Sequence, residues 1–220
     1  PNLISAAGRN ADRGYADIAL FEVGPQYAGE NPGDQSMVAA GVRAGNAVPR
    51  GWTGATRAAD VFDAKADALG VLAGIGAPAA SIQVVAEAPD WYHPGRSGSI
   101  RLGPKTVLAD FGEVHPGILK AMDVAGPIAA FEIHLGAVPL PKGSRGTARP
   151  ALDLSPYQQV MRDFAFIVDD GTPADALMRA ARGADSKLIT DVTVFDVFTG
   201  GALGEGQKSI AIAVTLQPTE

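Results

Sequence analysis

The chain has 220 residues, 46% hydrophobic and 19% charged, with no cysteine and a formal net charge of −6. That suits one large or two modest globular domains with a real core, and it excludes disorder, disulfide scaffolds and thiolate metal sites. No apolar run approaches the ~20 residues of a membrane span and no signal peptide opens the sequence, so cytoplasmic residence is the expectation.

Residues 1–7 read as the end of a helix without its start, so the chain is expected to begin inside a larger protein. Residues 17–24 read as a strand, 29–35 as a loop and 36–42 as the next strand. Residues 46–54, with Pro49, Gly51 and Trp52, read as another loop. A helix opens at Asp60-Val61-Phe62-Asp63 and reaches about Leu72, with Val61, Lys65, Ala68, Leu69 and Leu72 as its stripe. Short strands are predicted over 81–87, 98–102 and 106–111, with Trp91 to Ser97 as a turn between the first two. Pro116 suits the first position of a helix carrying Ile118, Leu119 and Met122, and 128–134 is a further strand. Short strands without a β-α-β rhythm predict a mostly antiparallel α+β domain over 1–138. Residues 139–152 are the linker, rich in Pro and Gly and carrying Lys142, Arg145 and Arg149.

The second domain, 153–220, holds three alternating runs, each with two faces. In the first, Phe164, Phe166 and Val168 oppose Asp163, Ala165 and Ile167. In the second, Thr193, Phe195 and Val197 oppose Val192, Val194, Asp196 and Phe198. In the third, Ile210, Ile212, Val214 and Leu216 oppose Ser209, Ala211, Ala213 and Thr215. The bulky sets should face helices. That leaves a small, mixed face of Ala165, Ser209, Ala211 and Ala213 with one large ring, Phe198. Between the first two runs a helix is predicted, with Thr172 as N-cap, Pro173 at the first position and Gly183 as a stop. The order β-α-β-β is three quarters of a ferredoxin-like unit. Residues 1–150 carry 13 Lys+Arg against 14 Asp+Glu, whereas 151–220 carry 5 against 10. Taken alone, that acidity argues against nucleic acid, because phosphate attraction supplies much of RNA affinity.

Familiar catalytic patterns are missing. His93, His115 and His134 lack ligand spacing, Gly95-Arg96-Ser97-Gly98 is not a nucleophile elbow, and there is no phosphate-binding G-x-x-x-x-G-K-[ST] loop.

Arg162-Asp163-Phe164-Ala165-Phe166, Phe195-Asp196-Val197-Phe198-Thr199-Gly200 and Gly206-Gln207-Lys208-Ser209 resemble the ferredoxin-fold anticodon-binding domain. That domain closes the β subunit of bacterial phenylalanyl-tRNA synthetase. Gln158 stands where the family usually has Pro, and Phe198 where Tyr is commoner. Upstream, Asn10, Arg13 and Gly14 before Leu20-Phe21-Glu22-Val23-Gly24, then Asp60 to Lys65, Trp91 to Ser97 and Gly112 to Pro116 resemble the same subunit's catalytic-like domain, a degenerate class II synthetase core. Ala66 replaces a family Gly.

The resemblance implies part of an ATP- and Mg²⁺-dependent phenylalanine–tRNA ligase. Catalysis belongs to an α subunit within an α₂β₂ assembly, and no residue here is catalytic. A working class II core needs arginines for ATP phosphates, and neither 20–24 nor 126–136 supplies one. Phe198, Ala165, Ser209, Ala211, Lys208 and Arg162 are the candidate tRNA-binding residues. Phe198 would stack a base; the competing reading is that it only packs. Trp91, Tyr92 and Arg96 are candidate subunit-interface anchors, with a buried turn as the competing reading. The resemblance also implies that the ferredoxin-like domain stops before its last helix and strand. The edge at 162–168 would then be unpaired and apolar surface under Ile210 and Ile212 uncovered. The alternative function is a non-enzymatic interaction module whose ferredoxin-like half binds a small ligand or protein partner.

Overall fold

The structure, a computed structural model, describes residues 1–140, 154–201 and 203–218. The chain divides into two compact units, 1–143 and 144–220. Apart from residues 139 and 140, the predicted linker, with Lys142, Arg145 and Arg149, lies outside the described residues.

The first unit runs α1 (Asn2–Ala11), β1 (Ile18–Tyr27), β2 (Gln35–Ala44), β3 (Asn46–Val48), β4 (Arg57–Ala58), α2 (Val61–Gly74), β5 (Ile82–Val85), β6 (Tyr92–Leu102), β7 (Thr106–Val114), α3 (Pro116–Ala121) and β8 (Ile128–His134). Six strands form one antiparallel sheet in the order β1-β2-β8-β7-β6-β5. Two expectations are corrected. The loop expected at 46–54 begins with β3, which pairs with β4 in a small ribbon. The turn expected from Trp91 to Ser97 lies mostly inside β6, which starts at Tyr92 and crosses an irregularity before Ser97. Pro94 and Gly95 hide that strand from a propensity reading.

Helix α2 starts where its cap dictates. The Asp60 carboxylate accepts from the N–H of Phe62 and of Asp63, and Asp63 accepts from the N–H of Asp60 in return. Arg57 also donates to Asp63 at 2.6 Å, and this bond above all holds that carboxyl down at about 2. Ala64, Ala68 and Leu72 recur at i, i+4, i+8 and bury against one sheet face with Ile100, Ala109, Phe111, Phe131 and Ile133. The rings have room because of glycine. Register aligns Gly41, Phe131, Phe111 and Gly98 across four strands. A Cβ on Gly41 would stand 2.4 Å from the Phe131 ring. Helices α1 and α3 cover part of the other face through Ala7, Val42, Tyr92, Val114, Leu119, Ile128 and Ala130.

The second unit runs β9 (Val160–Asp169), α4 (Ala174–Ala184), β10 (Ile189–Thr199) and β11 (Gln207–Leu216). Pro173 is the N-cap, one residue past the expected Thr172, and no side chain caps the helix. The helix also runs through Gly183 to Ala184. The sheet order is β10-β11-β9, all antiparallel, so the third strand lies between the first two, as in a ferredoxin-like unit. Leu177, Met178 and Ala181 of α4 pack on Val192, Ile210, Ile212 and Val214.

Apolar surface is exposed in this unit, but not where the sequence placed it. Ile210 and Ile212 are fully buried, while Phe164 and Phe166 of the edge strand β9 are among the exposed apolar residues. Register puts both rings on the α4 side, but α4 packs over β10 and β11 and stops short of them.

Candidate functional site

Opposed residues of an antiparallel pair share a face. Register therefore aligns Glu22, Ala40, Glu132, Asp110 and Ser99 across the six-stranded sheet on the face that α1 and α3 only partly cover. Two cavities open there. One, about 490 Å³, is lined by Glu22, Tyr92 and Glu132 among apolar neighbours. The other, about 400 Å³, is lined by Ser99, Arg101, Asp110 and His134. Most of their polar groups pair with a neighbour, although Arg101 Nε is buried without a partner among the described residues. His134 Nε2 lies 2.9 Å from Asp110 Oδ2, and Trp91 Nε1 donates to Glu132 at 3.2 Å. Arg101 donates to Glu87 at 2.7 Å, and the Ser99 hydroxyl donates to the Glu87 carbonyl. The bond to Asp110 raises the His134 pKa, and burial opposes that only in part.

This row does not fit ATP. The row carries three carboxylates, Glu22, Glu132 and Asp110, whose charge repels a triphosphate, and Arg101 and His134 beside it are already paired with acids. Among the described residues no group of three or more His, Cys, Asp or Glu is placed to hold a metal ion. No sequence motif marks the Asp110–His134 pair, which only strand pairing brings together.

The three-stranded sheet also has a face away from α4. Its rows are Ile167–Ser209–Phe198, Ala165–Ala211–Asp196 and Asp163–Ala213–Thr193. Phe198 reaches this face because of a bulge. Val194 pairs with Ile212 and Asp196 with Ala211, so Phe195 is an extra residue. Strict alternation would group Phe198 with Val192 and Val194, which pack under α4. The extra residue shifts the count by one and delivers Phe198, 50% exposed, opposite Ser209.

The structure thus brings Phe198, Ala165, Ser209 and Ala211 together and separates the other two candidates. Arg162 pairs with Val214, and Lys208 with Val168 and Thr199, so both belong to the α4 face. Arg162 donates to the Met161 carbonyl and Lys208 to that of Asp170. Nor is Phe198 the only bulky side chain on the open face, since exposed Ile167 shares its row. Asp163 and Asp196 make that face acidic. The alternation already contained Ile167 and Asp163; the facing of Asp196 and Phe198 needed the bulge.

The candidate interface residues also divide. Tyr92 is 3% exposed and sits in the core, where burial pushes its phenol pKa well up. It is therefore not a surface anchor. Trp91 is half exposed, and Arg96 pairs with Glu113 on the neighbouring strand at 2.7 Å. The sequence reading missed a stronger surface. Phe21, Val23 and Tyr27 alternate along the edge strand β1, with Met37 beside them on β2, and all are exposed. Phe21 is 80% exposed.

The two units are α+β with antiparallel sheets, one with a closed polar row and the other with an open aromatic face. Residues 1–135 match the family of the phenylalanyl tRNA synthetase beta chain CLM domain, and the chain belongs to that family. Residues 155–220 match the ferredoxin-fold anticodon binding domain. Among relatives, the phenylalanine–tRNA ligase beta subunit of Rhodospirillum rubrum is 59% identical over all 220 residues. That of Paramagnetospirillum magneticum is 56% identical over the whole chain, and that of Brucella suis 52% over 224 aligned residues. The chain spans only 27–28% of the length of these relatives. Of solved structures, pyrrolysyl-tRNA synthetase from Desulfitobacterium hafniense aligns with 61% of this chain and 45% of its own. Its identity is 17% and its TM-score 0.42, a likeness too slight to carry an argument.

Proposed function

We propose that the chain is the part of a phenylalanine–tRNA ligase β subunit that supports the catalytic α subunit and binds the tRNA anticodon. The intact enzyme would be a cytoplasmic α₂β₂ assembly that couples ATP, with Mg²⁺, to esterification of phenylalanine. Residues 1–138 form the non-catalytic synthetase-like domain, 139–152 the linker, and 153–220 the anticodon-binding domain. The exposed stripe of Phe21, Val23 and Tyr27 suits the α contact better than buried Tyr92 does.

The observation that carries the anticodon reading is the placement of Phe198. Its ring stands on an open face beside Ser209, with Ala211 and Ala165 one row away. Small side chains leave space above the sheet for a base, and stacking on a ring needs no phosphate contact. It therefore works on an acidic domain. The carboxylate of Asp196, on the same face, can accept from base N–H groups.

In the complete ligase, Phe198→Ala is expected to weaken tRNA binding by about 1–3 kcal/mol. The thermal midpoint and the salt slope of binding should barely move. A stability loss with unchanged tRNA affinity would make Phe198 a packing residue and overturn the reading. The chain alone should give no phenylalanine-dependent pyrophosphate exchange; turnover abolished by mutating this chain would refute the non-catalytic assignment.

A further inference from the structure

The bulge in β10 has a second effect on the open face. Thr193 pairs with Ala213 on that face, so alternation carries Phe195 to the same side. The bulge then keeps Asp196, opposite Ala211, on that side as well. Phe195 is 57% exposed and stands outside the cluster that Val192, Ile210, Ile212 and Val214 form under α4. The face therefore presents two rings, Phe195 and Phe198, roughly 7–10 Å apart along one strand.

Nothing in the pairing requires this residue. Without it, Asp196, Val197 and Phe198 would keep Ala211, Ile210 and Ser209 as partners. A bulge interrupts ladder pairing, and a large exposed ring forgoes burial, so the fold gains nothing from placing phenylalanine there. The charge pattern suggests what does gain. With 5 Lys+Arg against 10 Asp+Glu over 151–220, phosphate attraction is weak, and affinity for a single strand has to come from π-faces. A second ring is the addition that such a surface can use.

We infer that Phe195 is a second stacking platform, which holds an unpaired base next to the one at Phe198. This rests on the Phe198 reading above. The ligand class is an unpaired nucleotide of the anticodon loop; a protein partner's apolar side chain is the competitor that the test must separate.

The test measures tRNA affinity, subunit assembly and thermal midpoint in the complete ligase carrying F195A, F195L, F195Y, F198A or a deletion of Phe195. F195A, F195L and the deletion are expected to weaken tRNA binding about five- to 150-fold. F195Y should retain it, and assembly and midpoint should stay unchanged. The deletion keeps the partners of Phe198, so its loss reports the ring and not a misplaced strand. Normal tRNA binding by F195A and F195L, with a loss in F198A, overturns the second platform and leaves the Phe198 reading standing. Weakened assembly with normal tRNA binding gives Phe195 to a protein partner and also overturns it. Normal binding by F198A removes the reading on which the inference stands.

Discussion

Each of the two sheets has one face covered by helices and another that is less covered, but the second faces differ. On the six-stranded sheet most of the polar groups are engaged with each other: Asp110 with His134, Glu132 with Trp91, Arg101 and Ser99 with Glu87. On the three-stranded sheet the prominent groups are exposed rings and an exposed isoleucine, none of them part of that unit's buried cluster. Satisfied polar groups stabilise and specify a fold. Exposed rings beside alanines gain nothing from the fold and are available to a partner. The first sheet has the layout of a site and little free chemistry; the second has little relief and an exposed contact surface.

The contrast can be tested by mutation, starting with the largest effect. Ile210→Ala, on the covered face of the second unit, is expected to cost about 3 kcal/mol of that unit's stability, whereas Phe198→Ala on the open face should cost under about 0.5 kcal/mol. Chemical denaturation followed by amide exchange would resolve the two, and equal losses would erase the distinction between faces. In the first unit, His134→Ala leaves the Asp110 carboxylate buried without its partner. It should cost about 2 kcal/mol.

The same pair gives the first unit a pH signature. His134 has a folded pKa raised above 6.5, first by its bond to Asp110, with Asp110 and Glu132 adding attraction. Its stabilisation is complete below about pH 6.5 and is lost as pH rises through the higher folded value. Thermal midpoints should fall across that range in the native chain and stay flatter in His134→Gln; parallel curves would show that the pair carries no net energy. A smaller loss than at His134 is expected at the helix start. Asp60→Ala removes the N-cap of α2 and should cost about 1 kcal/mol. Asp63, held down at about 2 chiefly by Arg57, contributes stability above its ordinary range that disappears as pH falls through 2.

Much of the fold could be read from local chemistry. Asp60 with Asp63, Pro116, and the alternation in 160–168 and 207–216 each carry their own signal, and the elements stand there. What escaped the sequence depends on pairing. Tyr92 and Trp91 are neighbours of like chemistry, yet only the fold decides that one is core and the other half exposed. Arg162 and Lys208 looked suitable for RNA by charge, and register turned both to the α4 side. Phe198 was placed on the open face although simple alternation grouped it with Val192 and Val194; the extra residue at Phe195 resolves that conflict. No propensity marks a bulge here, because the residue that makes it is an ordinary strand former.

β10 contains a second extra residue. Ile189 pairs with Leu216 and Asp191 with Thr215, which leaves Thr190 unmatched. The strand therefore has slack at two points, and its length can change by one at either without moving the partners beyond it. Thr190 is exposed, and its hydroxyl donates to the Thr215 carbonyl. It is the place to graft a fluorescent or cross-linkable residue into β10: a reporter there would sit several residues from both rings and leave the reading face as it is.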